Sequence, residues 1–245
     1  MIRTILVIIF LVFFLIFTIP FIIVESLLLR KNPKRNRMLS NKIVHFAFRT
    51  IIFISGVKIV VHGKENIISN QAALYVGNHR GFFDIIISHI LMTSPTGFIA
   101  KKSMIKVPLL SNWMKLIGCL FIDRENLKEG IKTILQGIEY IKSGITLWIF
   151  PEGGRNKNRN PLDVMEFKEG SLRIAEKAQC PVVPVAFYGT DNVLENHFPF
   201  IKSQTVHISF AKPIIISELS AENRKALGAY TRGIILEMLE LVNKK

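Results

Sequence analysis

Residues 72–92 read Ala-Ala-Leu-Tyr-Val-Gly-Asn-His-Arg-Gly-Phe-Phe-Asp-Ile-Ile-Ile-Ser-His-Ile-Leu-Met. A short, nearly continuous apolar run gives way to a polar turn carrying two glycines, and then to a longer apolar segment of helical period. The first part has the composition of a strand covered on both faces, and the second that of a helix packed on it. The same alternation recurs along the chain. Further candidate strands are Val57–His62, Gly97–Ala100, Cys119–Ile122, Thr146–Phe150, Val182–Phe187 and Val206–Phe210, beside Ala72–Gly77. Helical patterns fit Phe82–Met92, Glu125–Lys142, Lys168–Ala178 and Ser220–Val242. Strands alternating with helices predict an α/β fold, a mostly parallel central sheet of about seven strands flanked by helices. In such sheets chemistry collects in the loops past the carboxyl ends of the strands.

Upstream of this body the composition changes. From Thr4 to Val24 every residue but Thr4, Thr18 and Pro20 is strongly apolar, and the run continues past Glu25 into Leu27–Leu29. About 20 residues at 1.5 Å rise match a hydrocarbon core of ~30 Å. No small-residue cleavage site follows, which argues for an anchor over a signal peptide. Arg30, Lys31, Lys34, Arg35 and Arg37 then surround Pro33, a basic cluster of the kind that stays cytoplasmic beside anionic lipid. Residues Ile43–Val57 are apolar but carry His45 and Arg49, with Lys42 just before, and read as an interfacial helix. With Arg3 also basic, the anchor is either one span or a hairpin dipping into one leaflet. The chain of 245 residues thus divides into an anchor and interfacial helix, 1–56, and an α/β domain, 57–245. The net charge of +14 implies anionic partners. Phenylalanines gather in the anchor and strands instead of interleaving with the cations, which counts against nucleic acid. Cys119 and Cys180 are too few for a disulfide framework and have no metal-ligand spacing, so reduced, buried thiols are expected.

Four short blocks carry candidate chemistry. In Asn78 to Asp84, His79 and Asp84 lie about 140° apart around an ideal helix. They meet only if His79 stays in the loop, Gly81 permits a bend, and Asp84 enters the first helical turn. Asp84 would then accept from one imidazole nitrogen and leave the other free to take a proton. No serine or cysteine here is placed to be activated, so the base would serve a substrate hydroxyl. The plainer alternative is a capping loop with a surface histidine. One His and one Asp are too few for a metal site. Gly118 to Arg124 ends a strand in a guanidinium suited to phosphate oxygens, or in an ordinary ion pair with Asp123. Upstream, Lys101 and Lys102 end another strand, as phosphate ligands or as solvated lysines. Phe150-Pro151-Glu152-Gly153-Gly154-Arg155 can form an anion nest or a common β-turn. In Val182 to Ala186, Pro184 removes a ladder donor and marks a sheet edge or a bulge, lining a pocket or purely structural.

In identity, order and spacing these blocks are similar to the four signature blocks of the glycerophospholipid acyltransferase superfamily, specifically the lysophosphatidate (1-acyl-sn-glycerol-3-phosphate) acyltransferases. The resemblance runs from about Val57 to Phe210 and includes the linking stretch from Ala100 to Pro108. It implies that His79 is the general base and Asp84 its orienting partner. It implies that Lys101, Arg124, Glu152, Gly153 and Arg155 hold the acceptor's phosphate, while Asn78, Phe121, Val183 and Pro184 support the site or line the acyl pocket. Gly154 departs from the family's usual Thr or Ser, which puts acceptor preference in doubt. The activity implied is acyl transfer to lysophosphatidate from acyl-CoA or acyl carrier protein, in phospholipid biosynthesis at the membrane, with the domain facing the cytoplasm. No cofactor, metal or nucleic acid is implied. Glycerol 3-phosphate, another lysophospholipid or a lyso-ornithine lipid are alternative acceptors of the same chemistry.

Overall fold

In the computed structural model residues 1–28, 33–123, 125–158 and 160–244 are described. Three helices come first: α1 (Ile2–Phe17), α2 (Ile19–Leu28) and α3 (Pro33–Ser55). Then follow β1 (Lys58–His62), β2 (Leu74–Gly77), α4 (Phe82–Leu91), β3 (Thr96–Lys101), α5 (Leu110–Ile117), β4 (Leu120–Ile122), α6 (Leu127–Lys142) and β5 (Thr146–Ile149). The chain ends with α7 (Arg173–Ala178), β6 (Val182–Tyr188), β7 (Thr205–Phe210), α8 (Ala221–Lys225) and α9 (Leu227–Asn243). The seven strands make one sheet in the order β1-β7-β6-β2-β5-β3-β4. Only β6 and β7 pair antiparallel, so β1 and β7 run opposite to the other five. Each strand expected from the sequence is present.

The near-continuous apolar strands have a simple cause: both sheet faces are covered. Tyr75, Trp148, Val183 and Val185 point to one face, where they meet Val7, Ile22, Val44 and Ile51 of the first three helices and residues of α4 and α5. Leu74, Val76, Leu147 and Val182 point to the other, against α6, α7 and α9. Trp148 is fully buried and stacks on Tyr75 with centroids 4.8 Å apart. Burying a side chain of this size contributes roughly 2–3 kcal/mol.

Pro184 lies on an interior strand, which excludes the edge reading and leaves the bulge. Val182 bridges Ile214 and Val185 pairs with Phe210, so three steps on β6 face four on its partner. Ala211 N–H donates to Pro184 O in that gap. The missing proline donor faces the extra residue, where a ladder bond is already lost.

The amino terminus adds three features to the sequence reading. The apolar stretch is broken at Thr18, where α1 and α2 bend by 51°. Thr18 Oγ1 donates to Phe14 O at 2.7 Å and accepts from Trp113 Nε1 at 3.1 Å, which docks the bend on α5. Among the described residues no single helix is long and apolar enough to cross a bilayer, although the bent pair together has the length and composition. Second, α3 starts at residue 33, ten residues before the apolar pattern, because its early turns bury polar groups. Arg37 bonds Lys115 O at 3.2 Å and Tyr140 Oη at 2.8 Å, and Asn41 bonds Ile117 O at 3.3 Å. Arg37 is therefore buried, not a lipid-facing cation; Arg30 and Lys31 lie outside the described residues. Third, α3 returns to where α1 begins, with the Arg3 guanidinium against Gly56. Leu39, Phe46 and Phe53 remain exposed on α3, seven residues apart.

Candidate functional site

The carboxyl ends of β6, β2, β5, β3 and β4 line one edge of the sheet in that order. Neighbouring strands lie about 4.8 Å apart. His79 follows β2, Phe150 to Arg155 follow β5, Lys101 ends β3, Asp123 follows β4, and Asp191 and Glu195 follow β6. The topology alone thus gathers all the blocks at one rim.

His79 stands in the loop and Asp84 on the third residue of α4. His79 Nδ1 is 2.8 Å from Asp84 Oδ2. That oxygen also accepts from Arg80 N at 2.6 Å and Gly81 N at 2.7 Å. Asp84 is fully buried, and a carboxylate holding two backbone amides is an acceptor. Nδ1 is therefore the imidazole donor, and in the neutral ring the lone pair lies on Nε2. The imidazole is stacked on Phe150, with centroids 4.4 Å apart and planes at 22°, so its rotation is restricted as well. Gly81 works differently from the expected bend: its backbone is extended, φ −158°. A Cβ there would lie 2.5 Å from Glu195 Oε2, so the glycine makes room for a carboxylate.

The third block supports the first. Glu152 is buried; Oε1 accepts from His79 N at 2.6 Å and Oε2 from Met165 N at 2.9 Å. Asn156 N donates to His79 O at 2.8 Å. Both oxygens of Glu152 are thus turned to the backbone, which makes it a clamp on the histidine loop and not a ligand of an anion. Burial pushes its carboxyl above the ordinary range, against the two amides that favour the ionised form. Gly153 takes φ +84°, a left-handed conformation that favours glycine. Its N–H donates to Phe150 O at 3.2 Å, closing a turn, so this amide is not part of an anion nest. A Cβ at Gly154 would meet nothing within 4 Å. Arg155 reaches Glu195 Oε1 at 3.2 Å and lies over the Phe82 ring at 4.2 Å.

Asn78 ties this loop to the fourth block: Nδ2 donates to Phe187 O at 3.0 Å and Oδ1 accepts from Phe187 N at 2.8 Å. Val183 is fully buried in the sheet and Phe121 half-buried on β4. Lys101 is exposed on the rim. Its neighbour Lys102, exposed to solvent, pairs with the partly exposed Asp123 at 2.9 Å. Arg124 lies outside the described residues. Cys119 and Cys180 are buried and unpaired, and burial raises their thiols to about 12 and about 11.

Three residues of the site escape the sequence reading. Arg80 is buried, donating to Asp191 Oδ2 at 2.6 Å and Asn160 O at 3.2 Å. Glu195 Oε1 accepts from Phe82 N at 2.8 Å. These side chains border a cleft of about 490 Å³, lined among others by Phe82, Arg155, Asn158 and Phe198. The available signal was position: Asp191 and Glu195 follow the carboxyl end of β6, on the same rim as His79.

Comparison with known proteins gives the family and the fold. A family model described as acyltransferase matches residues 58–188. The chain is similar to the 1-acyl-sn-glycerol-3-phosphate acyltransferase of Borreliella burgdorferi, 28% identical over 191 residues, 78% of this chain and 75% of that protein. It is similar to the Escherichia coli protein of the same name, 27% identical over 191 residues, 78% and 76% of the two chains. The crystal structure of a 1-acyl-sn-glycerophosphate acyltransferase, PlsC, from Thermotoga maritima superposes with a TM-score of 0.82 at 23% identity. It covers 99% of this chain and 95% of that one, which shows the fold.

Proposed function

The chain belongs to the acyltransferase family, and from that premise we propose that it acylates the sn-2 hydroxyl of 1-acyl-sn-glycerol 3-phosphate. The named relatives that carry this activity support the acceptor. The observation that carries the chemistry is the 2.8 Å contact between His79 Nδ1 and Asp84, which leaves Nε2 of the neutral ring to act as the base. Nε2 takes the hydroxyl proton as the alcohol oxygen bonds to the carbonyl carbon of a thioester. The carbon–sulfur bond then breaks, and the departing thiolate takes the proton from the imidazolium. The donor thioester is acyl-CoA or acyl carrier protein. A thiolate is a good leaving group, so this scheme draws on side chains alone, with no metal or cofactor. Lys101, Arg124 and Arg155 are assigned to the acceptor's phosphate, Lys101 and the β4 end standing about 10 and 14 Å along the rim from His79. Asn78 and Glu152 hold the histidine loop.

The acceptor and product are membrane lipids, and the exposed apolar residues fit a bilayer surface. Ile5, Ile9, Val12, Phe13 and Ile16 of α1 and Phe46 and Phe53 of α3 face outward. The bend at Thr18 and the return of α3 favour helices lying in one leaflet over a straight span. The start of α1 and end of α3 stand at the catalytic rim, since Thr4 Oγ1 accepts from Ile201 N and Gly56 precedes β1. The site would thus sit at lipid depth, on the cytoplasmic side. Assay of the purified protein with lysophosphatidate, glycerol 3-phosphate and both labelled donors tests the reading. Phosphatidate formed from lysophosphatidate supports it; transfer to other acceptors alone removes it.

A further inference from the structure

We propose that Glu195 is a positioning residue of this site, one that holds Arg155 in place for the acceptor's phosphate. The proposal rests on the acyltransferase reading above and names a device within it. Glu195 reaches across from the loop after β6 to two blocks at once. One oxygen, Oε1, accepts from Phe82 N at 2.8 Å and from Arg155 Nη1 at 3.2 Å. The Arg155 guanidinium carbon lies over the Phe82 ring, 4.2 Å from its centroid, within reach of a cation–π contact. Three loops from β2, β5 and β6 are therefore joined through one carboxylate. A half-exposed arginine samples many rotamers when alone; an ion pair and a ring together fix its head.

Two further observations show that the carboxylate is fitted to its place. Gly81 leaves the space its Oε2 occupies, since a Cβ would approach to 2.5 Å. Oε2 itself is buried without a hydrogen-bond partner among the described residues. A carboxylate oxygen buried without a partner costs stability, and a role at the site is a reason for the chain to carry that cost. Burial raises its carboxyl, with Phe82 N and Arg155 acting in the opposite direction. Glu195 touches no reacting atom in this scheme and acts through Arg155. Its loss should therefore weaken the acceptor while sparing the chemical step, because Asp84 is held by its own amides.

The test is a cycle of purified variants assayed against lysophosphatidate and acyl-CoA. Glu195→Ala is expected to raise the acceptor KM roughly tenfold, the size of one charge-assisted contact, with kcat changed less than about threefold. Glu195→Gln keeps an acceptor oxygen and is expected to recover most of that affinity. In an Arg155→Ala background neither substitution should raise KM further. An acceptor KM within about twofold of wild type in Glu195→Ala, or an equal further rise in the Arg155→Ala background, overturns the proposal. Should Glu195→Ala fail to fold, its place in the cycle is taken by Glu195→Gln, whose smaller rise must vanish with Arg155. A wild-type protein that leaves lysophosphatidate unacylated defeats the acyltransferase reading instead, before any variant is compared.

Discussion

The two ends of the catalytic rim are built on opposite principles. Around the histidine, at the β6–β2–β5 end, the polar groups are buried and bonded to the backbone: Asp84 holds two amides and an imidazole, Glu152 two amides, and Asn78 both polar groups of Phe187. At the β3–β4 end Lys101 and Lys102 stand in solvent, and the Lys102–Asp123 pair is exposed. A base must keep one tautomer and one direction, which requires a rigid, dry frame. A ligand for a mobile, charged headgroup must bind and release, which suits long solvated cations. The difference assigns the chemistry to the first end, and acceptor capture to the second end together with Arg155, which reaches in from the β5 loop.

The sharpest way to break that division is His79→Ala. Loss of a general base predicts a kcat lower by roughly 10³-fold or more, with the fold and lipid binding kept. Substantial transfer by this variant would move the chemistry elsewhere. Glu152→Ala comes next, since it strips two buried amides of their acceptor. A loss of about 1–3 kcal/mol in unfolding free energy is expected, with kcat down about tenfold and acceptor KM nearly constant. A raised KM with unchanged stability would return Glu152 to the phosphate site. Lys101→Ala, at the exposed end, should raise acceptor KM only about three- to fivefold and weaken its salt dependence, leaving the melting temperature in place. A drop in kcat there would erase the contrast.

The same contrast explains what could be read from the sequence. The strands are legible because burial on both faces leaves few polar residues inside them, and the His79–Asp84 pair because it is local. The first turns of α3 are not, because Arg37 and Asn41 are buried polar residues satisfied by α5 and α6, and hydropathy counts them as surface. Glu152 was assigned to the phosphate for a related reason: nothing in Phe-Pro-Glu-Gly-Gly-Arg shows that its partners are the backbone of His79 and Met165. Glu195 lies 113 residues from Phe82, and only the sheet order brings them together.

The smallest effect separates the two ends by their response to protons. Beneath the buried end, His89 on α4 is 2% exposed, with Nε2 at 3.1 Å from Asn41 Oδ1 and Phe48 and Phe98 packed around it. Burial, and then the neighbouring His45, lower its pKa from 6.5 to about 3. Between these values the unfolded chain binds a proton that the folded one refuses, so stability falls as pH drops through 6.5 and continues to fall toward 3. At pH 6 this amounts to about 0.7 kcal/mol relative to pH 7, or a fall of roughly 1–3 °C in melting temperature for a chain of this size. His89→Gln should flatten that acid slope without altering the kinetics of acyl transfer. The exposed Lys102–Asp123 pair, removed by Lys102→Ala, should leave the slope over this range as it is, because neither partner titrates between pH 6 and 7. An unchanged slope in His89→Gln would mean that the buried frame tolerates charge, and the distinction between the two ends would then rest on hydrogen bonding alone.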